Sequence, residues 1–273
     1  MSKGFLVYAN GELYLHQAYV LALSLKRTNN KFPISIVTDN NVPNHIKKVF
    51  DNIITVPWKD QEDDSRYQIF SRWKLYHCTP YEETVVLDSD LLVLENIDHW
   101  WEFLGKYHLY FPTKAYTYRG DIVTSNYYRK QFDNNNLPNI YSTIFYFKKN
   151  DISHQFFKWV EIVNNNWQLF YGSFCKNNYP KNPSMDLTHA IVSKILNIDD
   201  VITNKLEKTI FFTHMKPMIQ DWKYPEEDWQ FKIGTYLTRD LRLLIGNYLQ
   251  KGIFHYASNN FINDDIIKKY ESA

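Results

Sequence analysis

Between residues 5 and 87 the chain repeats one local pattern: a short apolar run, a polar turn, then a stretch with helical spacing. Phe5–Ala9 is apolar and stops at Asn10-Gly11, a turn signal. Leu13–Leu25 then carries apolar residues at helical intervals. Ile34–Val37 is β-branched and runs into Thr38-Asp39-Asn40-Asn41, strand followed by turn again. Val42–Phe50 reads as a short helix, Ile53–Val56 as a third strand, Tyr67–His77 as a helix and Thr84–Leu87 as a fully buried strand. Alternation of this kind predicts an α/β fold, a Rossmann-like, mostly parallel sheet with right-handed crossovers and flanking helices. Ligands in such sheets bind beyond the carboxyl ends of the strands. Asn10, Asp39 and Asp88 all fall at those ends.

The second half is less regular. Tyr107–Phe111 and Ile140–Phe147 are aromatic, β-prone runs separated by a polar stretch, Thr113–Asn139. A connection of that length inside a compact domain is usually functional or partly structured. Ile152–Tyr171 reads as helix, Gly172–Pro183 as loop, Met185–Leu196 as helix and Ile210–Phe212 as a short strand before Thr213-His214-Met215-Lys216-Pro217. At 273 residues, without a Gly/Ser/Pro linker, the expectation is one unit over 1–222, in two halves (1–112 and 113–222). A C-terminal extension, 223–273, packs on it.

The net charge of +1 gives no electrostatic case for general nucleic-acid or membrane binding. Cys78 and Cys175 are too few and too far apart for a zinc motif or a disulfide framework, and read as reduced structural thiols. No apolar stretch approaches the ~20 residues needed to span a bilayer. The start of the chain carries no basic region followed by an apolar core, so a soluble, cytoplasmic protein is expected (host cytoplasm if viral).

Asp88-Ser-Asp90 interrupts an otherwise apolar stretch between Glu83 and Ile97. Buried carboxylates are costly unless paired or bound to a cation. Residues two apart on an extended chain point the same way, so both carboxylates can reach one ion beyond the strand end. Hard divalent cations take oxygen ligands and share them with substrate phosphates. Asp-X-Asp alone is a weak signal, and its place at a strand end gives it weight.

Together, the first strand ending in Ala9-Asn10-Gly11, Lys74 on a helix, Asp88-Ser-Asp90 and His214-Met-Lys216-Pro217 resemble the GT-A glycosyltransferases, particularly family 8, over roughly residues 5–222. The resemblance implies a GT-A fold with an appended C-terminal segment. It implies that Asp88, Asp90 and His214 bind Mn²⁺ (or Mg²⁺), that Lys216 clamps the diphosphate of a UDP-linked sugar, and that 1–112 is the nucleotide-binding half and 113–222 the acceptor half of a catalytic domain. Tyr8, Ala9 and Asn10 would line the nucleoside pocket with Asp39, and Lys74 would steady the donor beside the Asp-X-Asp. Two departures stand out. The family's Asn-Ser/Ala-Gly element is matched by Asn139-Ile-Tyr-Ser142-Thr-Ile, without glycine, and its sugar-contacting Asp-Gln/Glu element is matched only by Asp186. Asp186 sits where a helix would start, so it reads either as a sugar contact or as a helix cap.

The expected activity is metal-dependent, retaining transfer of a sugar to a hydroxyl acceptor such as a glycan. An alternative is a phage enzyme that glycosylates hydroxymethylated bases in DNA, with Tyr127-Tyr128-Arg129-Lys130 and Arg119 as the contact surface. A non-catalytic nucleotide-sugar or carbohydrate-binding protein is a further alternative. A nucleotidyltransferase is disfavoured, because Asn10-Gly11-Glu12-Leu13 supplies no Gly-rich, basic phosphate loop.

Overall fold

The computed structural model describes residues 2–59, 68–123, 129–176, 180–203, 210–216 and 229–273. The first strand, β1 (Lys3–Tyr8), leads through Gly11 into α1 (Glu12–Arg27). Gly11 has φ 112°, a left-handed-side conformation that a side chain would strain, and its N–H donates to Asn40 Oδ1 at 2.6 Å. β2 (Ile34–Val37) follows, then a helical turn α2 (Asn44–Lys47) and β3 (Asn52–Ile54). A 3₁₀ turn, Arg72–Lys74, runs into α3 (Leu75–Cys78) and then β4 (Glu83–Leu87). The predicted helix over Tyr67–His77 is therefore shorter than its pattern, and Gln68 at φ 48° stands just before it.

β4 continues beyond the Asp-X-Asp as β5 (Leu91–Val93), followed by α4 (Trp100–Leu104) and β6 (Leu109–Tyr110). Next come α5 (Lys130–Asn134), β7 (Ile144–Lys148) and α6 (Asp151–Asn165). α7 (Trp167–Phe174) is separated from α6 by Asn166, whose φ of −127° breaks the predicted single helix in two. α8 (Met185–Ile195), α9 (Asp199–Ile202) and β8 (Phe212–His214) complete the part before residue 217. The C-terminal part contains α10 (Trp229–Lys232), β9 (Thr235–Leu237), β10 (Leu243–Ile245), β11 (Tyr248–Leu249), β12 (Ile253–His255) and α11 (Asp264–Ser272).

The central sheet runs β3-β2-β1-β4-β7-β6. β3, β2, β1 and β4 are parallel, while β7 is antiparallel to β4 and β6. Register sets Val7 beside Leu87 and Tyr8 beside Val37, so Asn10, Asp39 and Asp88 leave the sheet at one edge. Successive side chains go to opposite faces. Phe5, Val7, Val85 and Leu87 join one buried core with α1, whereas Leu6, Tyr8 and Val86 join a second with α6 and α8. Burying each such side chain contributes about 1.5–3 kcal/mol.

A second sheet, β5-β12-β8, has β12 in the middle, antiparallel to β5 and parallel to β8. Residues from the expected C-terminal extension thus supply the central strand of a sheet that β5 and β8 flank. Both cysteines are free thiols, and burial pushes Cys78 up to about 12 and Cys175 to about 11. Among the described residues no helix is long and apolar enough to cross a membrane.

Gly252 delivers the chain into β12 with φ 63°, and a Cβ there would lie 2.8 Å from Phe211 O. Gly252→Ala is expected to destabilise the protein by about 1–3 kcal/mol, read as a lowered denaturant midpoint at unchanged slope. An unchanged midpoint would show that the β8–β12 junction relaxes freely.

Candidate metal and donor site

The end of β4 fixes the directions of the three residues that follow. Asp88 N–H donates to Thr143 O at 2.9 Å, which continues the β4–β7 pairing by one residue. Ser89 points inward and donates to Gln17 Oε1 at 3.1 Å in the core. The side chains on either side of it, Asp88 and Asp90, remain partly exposed at 19% and 26%. This is the period-two alternation of an extended chain applied to a carboxylate pair.

Two basic side chains meet them. Arg72 Nη1, from the 3₁₀ turn, donates to Asp88 Oδ1. His255 Nε2, at the end of β12, lies 2.9 Å from Asp90 Oδ2. Tyr256 N–H donates to Asp90 O at 3.3 Å, and His255 Nδ1 lies 3.4 Å from Thr143 Oγ1. Behind it the His214 ring stacks on His255, centroids 4.4 Å apart and planes 8° apart.

Burial pushes Asp88 above the usual carboxylate range, an effect that Arg72 opposes and the neighbouring Asp90 reinforces. Burial acts the same way on Asp90, but the charge of His255 and its hydrogen bond, helped by Arg72, outweigh it and hold Asp90 low. Burial pulls His255 down, and Asp90 and Asp88 more than reverse that. His214 stays well below the ordinary histidine value because it is buried and lies beside His255 and Lys216.

Asp88, Asp90 and His255 each offer one ligand atom, all within 4.8 Å of one another. Two carboxylate oxygens and an imidazole nitrogen fit a divalent cation; the oxygens suit a hard ion and the imidazole favours Mn²⁺ over Mg²⁺.

Where the sequence leads one to expect His214, the group among the described residues contains His255, with His214 paired to it in register and stacked behind it. Lys74 is also displaced from its expected role. It is buried, and its Nζ donates to Trp58 O; in a turn with three residues per rotation Arg72 faces Asp88 instead. Lys216 is half-buried beyond β8, close enough to depress both histidines.

At the neighbouring strand ends, Asn10 Oδ1 accepts from Asp39 N–H at 3.1 Å. Asp39 Oδ1 accepts from Val56 N–H, also at 3.1 Å, and Asp39 is otherwise exposed. Tyr8 is mostly buried beside Arg72, and Ala9 is fully buried with its N–H bonded to Val37 O at 3.0 Å.

Asp186 is not the cap of its helix. Ser184 caps α8 by accepting from Leu187 N–H at 3.3 Å. Asp186 Oδ1 accepts from Ser142 N–H at 2.8 Å and Oδ2 from Arg129 Nη1 at 2.7 Å. One turn along α8, His189 Nδ1 shares a 2.8 Å hydrogen bond with Ser142 Oγ. Arg129 is 1% exposed, so it offers no charge to a passing phosphate, contrary to the DNA-contact expectation; Tyr127 and Tyr128 lie outside the described residues. Lys130 and Arg119 are exposed.

No family model matches the sequence. An uncharacterised protein, R707, of Acanthamoeba polyphaga mimivirus is 25% identical over 140 residues, 44% of this chain and 50% of that protein. Glycogenin-1 of Oryctolagus cuniculus is 31% identical over 113 residues, 37% of this chain and 34% of glycogenin. The chain therefore matches at most half the length of these relatives. Among solved structures, the galactosyltransferase LgtC, in complex with donor and acceptor sugar analogs, superposes over 98% of this chain and 95% of its own, with TM-score 0.56 and 11% identity. The chain has the GT-A glycosyltransferase fold. Mouse xyloside xylosyltransferase 1 in its apo form shares it, at TM-score 0.51 and 13% identity over 93% of this chain and 97% of its own.

Two residues of the site, His255 and Arg72, carry no strong signal in the sequence. His255 follows Ile253-Phe254, an apolar run ending in a ligand type, the same signal that singled out Asp88. Arg72 lies two residues from the lysine that was chosen. Arg129 was noticed and assigned to a surface it does not occupy.

His189 provides a pH test. It is enclosed by Phe111, Phe145 and Phe156 at 4.9, 5.4 and 5.5 Å, and burial pulls it down to about 3. Because the unfolded chain protonates first, stability from this group is complete above about 6.5 and is lost as pH falls toward 3. His189→Gln is expected to flatten the acid limb of the stability–pH curve by about 1 kcal/mol per pH unit. Identical slopes in denaturant titrations of the two proteins would show that His189 titrates alike folded and unfolded.

Proposed function

We propose that the chain is a metal-dependent glycosyltransferase that moves a sugar from a nucleotide donor, UDP-linked, to a hydroxyl acceptor such as a glycan. The observation that carries this reading is the Asp88–Asp90–His255 group at the strand ends of a GT-A fold, with Arg72 and Lys216 beside it. Asp88, Asp90 and His255 would hold Mn²⁺, which when bound supplies Lewis-acid stabilisation of the negative charge on a departing diphosphate.

The chain's own residues divide the remaining work. Lys216 and Arg72 bring two more positive charges to the diphosphate, and preorganised charge of this kind lowers the barrier without reorganisation. Asn10 and Asp39, with Tyr8 and Ala9 beneath them, form the nucleoside end. Asp186 keeps free lone pairs on both oxygens and is 22% exposed, so it can accept a sugar hydroxyl. Retention follows from attack on the face the diphosphate leaves, with the acceptor's proton passing to the departing phosphate. A glycan acceptor is preferred to DNA, because Arg129, one of the cations the DNA reading relied on, is buried. The mimivirus relative is compatible with a viral setting for either acceptor.

Asp90→Asn is expected to lower transfer and donor hydrolysis about a thousandfold or more. In calorimetry with UDP, the wild type should bind tightly only when Mn²⁺ is present, and His255→Ala should weaken that binding about 10–100-fold. Metal-independent UDP binding, or full turnover of Asp90→Asn, would sink the metal assignment. Metal-dependent binding without turnover on any UDP-sugar would favour the non-catalytic binding protein. Label passing from a UDP-sugar to hydroxymethylcytosine DNA and not to glycans would reassign the acceptor.

A further inference from the structure

One buried side chain supports both ends of the proposed site. Arg129, preceding α5, uses every edge of its guanidinium: Nη1 donates to Asp186 Oδ2 at 2.7 Å, Nε to Asn139 Oδ1 at 2.7 Å and Nη2 to Ile140 O at 2.6 Å. Its two faces are covered by rings, Tyr141 at 3.9 Å and Phe132 at 4.3 Å. A buried ion pair is weak evidence of a contribution to stability, since an apolar replacement often serves as well. The geometry around Arg129 instead leads somewhere.

Two contiguous routes run from it to the Asp-X-Asp. Along the rings, Tyr141 meets His214 edge-on at 6.0 Å, His214 stacks on His255 at 4.4 Å, and His255 Nε2 lies 2.9 Å from Asp90 Oδ2. Along the backbone, Arg129 holds Ile140 O and Asp186 holds Ser142 N–H. The next residue, Thr143, accepts from Asp88 N–H at 2.9 Å and sets its hydroxyl 3.4 Å from His255 Nδ1. Both routes end on the three residues that would hold the cation.

We infer that Arg129 is a positioning residue that fixes the Asp186 carboxylate and the His255–Asp90–Asp88 geometry together, through the ring stack and the 139–143 segment. It touches neither cation nor sugar. The inference rests on the cation-site reading above. Lysine cannot replace it, because one ammonium cannot donate in three fixed in-plane directions while filling a slot between two rings.

The test is Mn²⁺ titration by calorimetry on the full chain, which needs no donor or acceptor, with a thermal melt of each variant. Groups that orient metal ligands typically change metal affinity 10–100-fold when altered. Arg129→Lys is expected to weaken Mn²⁺ binding about tenfold or more by that measure. Tyr141→Leu, which removes the ring between Arg129 and His214 but leaves the Asp186 pair, should shift it in the same direction. Arg242→Lys, at an exposed ion pair, should bind as the wild type does. In Arg129→Ala, added guanidinium ion should restore affinity where equal sodium chloride does not, an effect that general loosening of the fold would not produce. If Arg129→Lys does not fold, Tyr141→Leu decides. Wild-type affinity in Tyr141→Leu or in folded Arg129→Lys overturns the inference. A wild type that binds no Mn²⁺ overturns the cation site itself, and the inference with it.

Discussion

Two carboxylates at the mouth of a buried strand must be compensated, and the arrangement of the rest of the site follows from how this chain does it. Asp88 is met by Arg72, sixteen residues earlier, and Asp90 by His255, 165 residues later. Each contact pulls a separate segment onto the end of β4. The first draws in the 3₁₀ turn and with it the buried Lys74 that grips Trp58. The second requires β12 to lie between β5 and β8. An uncompensated carboxylate there would be costly. Both pairs thus place a basic side chain against each carboxylate.

The fold was legible because its signal is local. Thr84–Leu87, Ile34–Val37 and Phe5–Ala9 are apolar runs that end in polar turns, and each became a strand of the parallel half of the sheet. The carboxylate pair was legible for the same reason. The partners were not, because partnership is set by register and by turn geometry. His214 and His255 both end short apolar runs, and nothing local says which lies in front. Lys74 and Arg72 differ only by which way a 3₁₀ turn faces them. Arg129 sits in a polar stretch that reads as surface, and only the fold reveals the slot between Tyr141 and Phe132 that encloses it.

The likeness to both a galactosyltransferase and a xylosyltransferase shows how little the scaffold says about the sugar. Under the proposed function, selectivity for a sugar would reside where this chain differs in detail. Ser142 is gripped twice by α8, through its N–H by Asp186 and through its hydroxyl by His189. A side chain held in that way narrows the space that a glycine would leave open. The departure seen in the sequence at 139–142 is thus a built feature with its own hydrogen bonds.

The place of His255 in the chain has a consequence for how the protein comes into being. A chain emerging from the ribosome completes β1–β4 and both aspartates long before residue 255 is made. The parallel strands of the central sheet can pair during that interval, but Asp90 lacks its histidine partner. The Asp88–Asp90–His255 group therefore comes together only after most of the described chain has been made. A nascent or truncated chain ending before β12 would carry the Asp-X-Asp without the third member of the group, which arrives only with that strand.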